Sequence, residues 1–355
     1  MNIYLDNIIY LLQKGGGISV VWTELLKRLL KTNNLNLNFI DYKTQNIWRN
    51  QLNIPSKAIV SPKKKHFAER YKNIEINKKN RFIFHSSYYR YCSNKNAINI
   101  TTVHDFTYEI CKKGLKKMLH SYQKGKALKK SNIIICISEN TKKDLIHFYP
   151  NIDRTKLRVV YNGVSDDYYL LESLELIEFP FPIYSYIIFV GSRDKYKNFE
   201  LSARAVAKSK YNLVIVGPSL TYNEKKLLDS IFNGTNKYKS LGRVSNIRLN
   251  ELYNGAFALL YPSIYEGFGI PVIEAQRAGC PVIAYNASSI PEIIGDVTLL
   301  LNELSIDSIL KHLVLLENNK TRISIIEKGI QNAKRFTWDK MYIQILSIYQ
   351  EAWEC

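Results

Sequence analysis

The sequence predicts an α/β protein built of two doubly wound parallel-sheet domains, and three observations carry that expectation. Short apolar runs alternate with longer stretches of helical periodicity from end to end, the pattern of parallel strands covered by helices. At 355 residues, 46% of them apolar, the chain exceeds what one hydrophobic core usually organises and can fill two. The alternation lapses in LESLELIEFPFP (171–182), which loses periodicity and ends on two prolines, as a linker does.

Each element follows in order. The first half offers strands at NIYL (2–5), NLNFI (36–40), RFIFH (81–85), INITTVH (98–104), NIIICIS (132–138) and LRVVYN (157–162). A helix is expected from about Ile18 to Leu30, where Val20, Val21, Leu25, Leu26 and Leu29 recur at helical spacing. The second half repeats the theme with YSYIIFV (184–190), NLVIVG (212–217), YKSLG (238–242), AFALLYP (256–262) and PVIAY (281–285). The expected boundaries are 1–175 for an N-terminal domain and 176–335 for a C-terminal domain. TWDKMYIQILSIYQEAW, within 336–355, reads as an amphipathic helix packing back toward the first domain. Both domains read as Rossmann-like, facing one another across a cleft that would hold the ligand.

Composition narrows the chemistry. Five cysteines (Cys92, Cys111, Cys136, Cys280, Cys355) show no paired short spacing, so neither a disulfide framework nor a zinc site is suggested and a reducing cytoplasm fits best. No apolar run is long enough to span a bilayer, and Asp6 interrupts what would be a signal-peptide core. The formal charge is +19, and residues 1–180 hold 30 Lys and Arg against 15 Asp and Glu. The excess is densest in CKKGLKKMLHSYQKGKALKKS (111–131) and at Lys63, Lys64 and Lys65. Such a field suits a solvated face, nucleic acid, anionic lipid or an acidic substrate. No nucleic-acid reading module accompanies it, so charge is the whole support for a nucleic-acid-binding protein.

The segment SIYEGFGIPVIEAQRAGCPVIAY (263–285) carries the densest chemistry. It reads as strand, glycine loop, helix and strand, with Pro271 near the first helical position and Gly279 as a C-cap. Gly267, Phe268 and Gly269 form a cradle in which an anion reaches the helix N–H groups. Glu266 lies in the loop and Glu274 is expected in the first helical turn, both suited as acceptors to hydroxyl donors. Taken alone, Glu274 could merely complement the helix dipole and Glu266 be a solvated loop residue.

Arg193 and Lys197 follow the strand that ends at Val190 and Gly191, where an α/β ligand site is expected and where a guanidinium and an ammonium suit phosphate oxygens. In the first half Gly15, Gly16 and Gly17 separate strand from helix, and the N–H groups of Gly16 and Gly17 could approach a phosphate. They do not form a dinucleotide fingerprint, and a tight turn would account for one of them. His104 closes a strand, as a satisfied structural group would, and Asp105 beside it could orient the imidazole.

Glu266-x7-Glu274 within EGFGIPVIEA, with AGCPVIAY and SSIPEIIGD after it, resembles the nucleotide-sugar site of retaining glycosyltransferases of family 4. LDNIIYLLQKGGGIS, TVHDFTYE, CISENTKKDL, VVYNGV, FVGSRDKYKN and FTWDK are similar to that family in the same order, over nearly the whole chain. The resemblance implies GT-B architecture, with the donor in the C-terminal domain. It implies that His104 lies beside the donor sugar, that Arg193 and Lys197, near Gly191, hold the diphosphate, and that Glu266 faces sugar and phosphate. Glu274 would bind the ribose, and Arg243 in Gly242-Arg243-Val244 would pass near the base. The implied reaction is metal-independent hexose transfer with retention, from a GDP- or UDP-sugar such as GDP-mannose to a saccharide or lipid-linked acceptor of surface polysaccharide or lipopolysaccharide synthesis. No cofactor, metal or nucleic-acid partner is expected. The expected location is the cytoplasm, peripheral on the inner face of the plasma membrane, whose anionic surface would attract the basic N-terminal half. A sugar-nucleotide epimerase of the same architecture is the competing enzyme.

Overall fold

A computed structural model describes residues 1–60, 69–296 and 299–354; Lys63, Lys64, Lys65 and Cys355 lie outside the described residues. The chain divides into two compact units, Met1–Gly163 together with Thr337–Cys355, and Val164–Phe336. Among the described residues no helix is long and apolar enough to cross a membrane.

The first unit runs β1 (Asn2–Asp6), α1 (Ile8–Leu12), α2 (Gly17–Leu29), β2 (Asn36–Ile40), β3 (Phe82–Ser86), β4 (Ala97–Val103), α3 (Thr107–Cys111), α4 (Leu115–Lys130), β5 (Ile133–Cys136), α5 (Glu139–Phe148) and β6 (Leu157–Val159). The six strands form one sheet in the order β2-β1-β3-β4-β5-β6, and every pairing is parallel. The second unit runs β7 (Tyr186–Val190), α6 (Phe199–Ala207), β8 (Asn212–Val216), α7 (Tyr222–Ile231), β9 (Tyr238–Gly242), α8 (Asn246–Gly255), β10 (Ala258–Tyr261), α9 (Ile270–Arg277), β11 (Val282–Tyr285), α10 (Ile290–Ile294), β12 (Leu300–Leu301), α11 (Ile306–Leu316) and α12 (Asn319–Ala333). Its sheet has the order β12-β11-β10-β7-β8-β9, again all parallel. The central strands of both sheets are mostly apolar and buried throughout, as strands sandwiched between helix layers must be.

A last helix, α13 (Trp338–Glu354), belongs to the first unit and packs on α2 and β3. Its Tyr349 is buried and its hydroxyl bonds Nδ1 of the buried His85 on β3 at 2.6 Å. The chain enters the second unit at Val164, ahead of the aperiodic 171–182 stretch. Side-chain amides of α8 hold this entry: Asn250 Oδ1 accepts from the Tyr169 N–H at 3.0 Å and Asn254 Oδ1 from the Leu171 N–H at 2.9 Å. Among the elements not named from the sequence are two short ones. α1 follows β1 at once, with Ile8, Ile9 and Tyr10 buried, and β12 has only two residues.

Candidate functional site

In the second sheet the strand order reverses between β7 and β10, so the connections leaving these neighbours depart in opposite directions and open a crevice beyond their C-terminal ends. Two loops meet there. The loop after β7 passes through a short 3-10 turn at Lys195–Lys197 and enters α6 at Asn198, in the left-handed region at φ 50. Asn198 Nδ2 donates to the Pro262 carbonyl at 2.8 Å, and the Ile264 N–H donates to the Tyr196 carbonyl at 2.9 Å, so the loops after β7 and β10 are stitched together. That stitching places Lys197 Nζ 2.7 Å from Glu266 Oε1, with both side chains largely shielded. Glu266 is fixed further by its backbone, whose N–H donates to Ser288 Oγ at 2.9 Å and whose carbonyl accepts from Ser289 Oγ at 2.9 Å. Tyr261 also hydrogen-bonds Glu266; burial first, then that carboxylate, pushes the phenol well above its ordinary value.

Next to this pair α9 begins. Gly269 caps it at φ +97, a backbone conformation that favours glycine, and a Cβ there would sit 2.8 Å from Ile290 Cδ1. Ile270 and Pro271 fill the first helical positions, where missing or unpartnered N–H groups are normal. Glu274 is the fifth residue of the helix and lies in the second turn, which corrects its expected first-turn position. The cause is the early start at Ile270, which follows from the left-handed cap. The extra turn directs the carboxyl inward, where Tyr253 Oη donates to Oε2 at 3.3 Å and Tyr168 makes a further hydrogen bond. Part of the residue keeps solvent access, yet burial of the carboxyl raises it to about 7, against the lowering effect of the two tyrosines.

The remaining expected residues of this unit spread around the crevice. Gly191 follows β7 at φ +129, and a Cβ on the closely approaching Gly217 would sit 2.2 Å from the Gly191 carbonyl oxygen. Arg193 is engaged by Glu224, with Nε to Oε1 at 2.7 Å, and its Nη2 donates to the Ser219 carbonyl at 2.9 Å. Its side chain is 4% exposed and its Nη1 is buried without a hydrogen-bond partner. Arg193 and Lys197 therefore hold different carboxylates. Phe268 turns its ring into the interior, edge-on to Phe336 at 5.6 Å, so that it offers the loop its backbone. Gly267 lies between Glu266 and Phe268 in the same loop, and Arg243 stands exposed after the end of β9.

The first unit holds its own group of expected residues. Gly16 is the extended N-cap of α2, and the space beside Gly17 is open. Ser19 and Asn46 fix this turn, Ser19 Oγ donating to Gln13 Oε1 at 3.0 Å and Asn46 Nδ2 to the Gln13 carbonyl at 2.7 Å. His104 follows β4 and is buried; burial lowers it to about 4, so it is neutral at pH 7. Asp105 Oδ1 accepts from the Thr107 N–H at 2.9 Å and so shapes the turn into α3. The Asp105 carbonyl takes Lys124 Nζ at 2.9 Å, and Lys124, fully buried, also bonds Glu109 Oε2 at 2.8 Å.

Sequence reasoning assigns no role to Tyr168, Tyr253, Tyr261, Asn198, Glu224, Ser288 and Ser289, all of which position the expected residues. Ser288 and Ser289 lie in the quoted SSIPEIIGD, where the resemblance marks the segment without marking the hydroxyls. The tyrosines give no local signal, since their partners are brought to them by the fold.

Residues 181–335 match the family model "Glycosyl transferases group 1", and residues 63–168 match "Glycosyltransferase Family 4". The chain is 25% identical over 272 residues to O-antigen chain mannosyltransferase B of Escherichia coli, covering 71% of this chain and 70% of that protein. It is 28% identical over 193 residues to O-antigen chain mannosyltransferase RfbU of Salmonella typhimurium, spanning about half of each, 53% and 52%. Among solved structures, sucrose-phosphate synthase from Thermosynechococcus elongatus superposes with a TM-score of 0.72 at 16% identity, over 100% of this chain and 99% of that one. HepE of Anabaena, solved in complex with UDP and glucose, gives a TM-score of 0.70 at 14% identity, over 98% and 99%. With both family models matched in sequence order and both six-stranded sheets shared with these structures, the chain belongs to the GT-B glycosyltransferases of the group 1 and family 4 type.

Proposed function

We propose that the protein transfers a hexose, with retention, from a nucleoside-diphosphate sugar to a saccharide or lipid-linked acceptor, and that mannose is the sugar moved. The observation that carries the reading is the Lys197–Glu266 pair at the β7/β10 switch point, a cation and a carboxylate held side by side where an α/β ligand crevice opens. The two O-antigen mannosyltransferases among its relatives support mannose and a surface-polysaccharide acceptor.

In this reading Lys197, the N–H groups at the start of α9 and the unpartnered Nη1 of Arg193 serve the diphosphate, while Glu266 and Glu274 accept from sugar and ribose hydroxyls. Gly191, Gly267, Phe268 and Gly269 supply backbone close to the donor, and Arg243 flanks the base. In the first unit His104 is buried and neutral at pH 7, and the space beside Gly17 is open. The acceptor oxygen bonds to the anomeric carbon as the bond from that carbon to the β-phosphate oxygen breaks, and the acceptor proton passes to the departing phosphate. Fixed cations and helix N–H groups take up the charge that develops there, so the reaction needs no metal. Nucleoside diphosphates are the direct test. Calorimetry with GDP and UDP is expected to give binding to one of them that weakens at least about tenfold in both Lys197→Ala and Glu274→Ala, with thermal unfolding still cooperative. Unchanged affinity in both variants refutes the assignment. Incubation with a panel of GDP- and UDP-sugars then identifies the donor by its hydrolysis.

A further inference from the structure

The helix α4 is turned inside out. Leu115, Met118, Leu119 and Tyr122 recur at i, i+3, i+4 and i+7, the spacing that normally marks the core-facing stripe of a helix. Here that stripe points to solvent, with Leu115 82% exposed, Met118 67%, Leu119 47% and Tyr122 70%. The inward face carries His120, Gln123 and Lys124 beside Ala127 and Leu128. Its polar groups find partners inside the unit, Lys124 in Glu109 and the Asp105 carbonyl, His120 Nε2 in the Tyr88 hydroxyl at 2.8 Å and Gln123 Nε2 in the Tyr89 carbonyl at 3.0 Å. The polar side of the helix is thus locked inward, and four large apolar side chains in two turns stay outside. A contiguous exposed patch of this kind marks an interaction surface.

Charge selects the partner. Between Ile110 and Ser138 the sequence has eight lysines and no acid. On the helix, Lys126 and Lys129 stand at i+4 and i+7 from Tyr122, so the outward stripe passes from apolar in its first turns to cationic in its last. Exposed Lys113, Lys116 and Lys130 flank it. Apolar side chains bordered by amines, with a tyrosine among them, match the interface of an anionic bilayer, where the former reach the acyl boundary and the latter the head groups. A second copy of the chain fits poorly, because a twofold contact on this face would set lysines against lysines.

We infer that the outward face of α4 is a docking surface for an anionic lipid bilayer, with Leu115, Met118, Leu119 and Tyr122 inserted and Lys116, Lys126, Lys129 and Lys130 on the phosphate layer. The inference goes beyond the transferase reading and stands independently of it. Sedimentation with vesicles of phosphatidylcholine alone or mixed with phosphatidylglycerol tests it. The wild-type chain is expected to bind the mixed vesicles and to release as salt rises. The combined variant Leu115→Ser, Met118→Ser, Tyr122→Ser is expected to lose about tenfold or more in partitioning with its unfolding midpoint unchanged, since the side chains replaced are solvent-facing. The single variant Leu119→Lys provides a milder check on the same face. Lys116→Gln, Lys126→Gln, Lys129→Gln and Lys130→Gln together are expected to flatten the salt dependence. Equal recovery with both vesicle types, or wild-type binding by the apolar variant, overturns the proposal. So does an oligomer of the wild-type chain, seen without lipid on size exclusion, that the apolar variant dissolves.

Discussion

Glu274 couples stability to pH through one buried carboxyl. Burial raises it from 4.5 to about 7, so between those values the folded chain binds a proton that the unfolded chain has released. The stabilising contribution is therefore fully present below about 4.5 and is lost as pH rises through about 7. Above that, keeping the carboxylate ionised costs on the order of 2 kcal/mol, after allowance for the part of the residue that reaches solvent. Glu274→Gln is expected to raise the melting temperature by several degrees at pH 8 and hardly at all near pH 4.5. Thermal unfolding at the two pH values checks this, and an equal gain at both would refute it. A residue that destabilises its own unit at neutral pH is one whose carboxylate is held for something other than stability, which fits the ribose contact proposed for it.

At the scale of elements, α7 shows how one side chain serves two structures. Thr221 and Glu224 form a reciprocal capping box, in which the Glu224 N–H donates to Thr221 Oγ1 at 3.3 Å and the Thr221 N–H donates to Glu224 Oε2 at 2.7 Å. The same Glu224 carboxylate takes Arg193, a bond that, followed by the cap, holds it down at about 2. Thr221→Ala is expected to cost about 1 kcal/mol in urea unfolding, and Glu224→Ala more, because the shielded Arg193 is then left without its anion. Equal losses would show that the ion pair adds nothing. The strands were the most legible elements, because β5, β7 and β10 are uninterrupted apolar runs of four or five residues with no competing period. β12 has two residues and α1 has five, too short for any period to register. The α4 stripe is legible as amphipathic, but the direction it faces depends on Glu109 and Tyr88, which lie outside the helix. At the candidate site the residues near Pro271 and the glycines announce a loop and helix start, whereas the Lys197–Glu266 contact spans 69 positions of sequence and requires both loops to be in place.

For the whole molecule, the division of the chain matters most. The second unit is continuous from Val164 to Phe336, while the first needs residues on both sides of it. Trp338, Met341, Ile345, Ile348 and Tyr349 of α13 are buried, and Tyr349 supplies the partner of His85. A fragment of residues 164–336 is expected to unfold cooperatively by circular dichroism, and a fragment of residues 1–163 is expected to do so only when a peptide of residues 337–355 is added. Cooperative unfolding of the 1–163 fragment alone would refute this dependence.

The buried seat of α13 also sets an order of events during synthesis. When residue 163 leaves the ribosome the first sheet has all six strands, but the surface formed by α2 and β3 waits uncovered until residues 337–355 have been made. At common translation rates that interval is on the order of ten seconds or more, long enough for the second unit to finish first. The half of the protein encoded earliest is thus the half completed last, and in the meantime its apolar seat is the part of the nascent chain that a chaperone would hold.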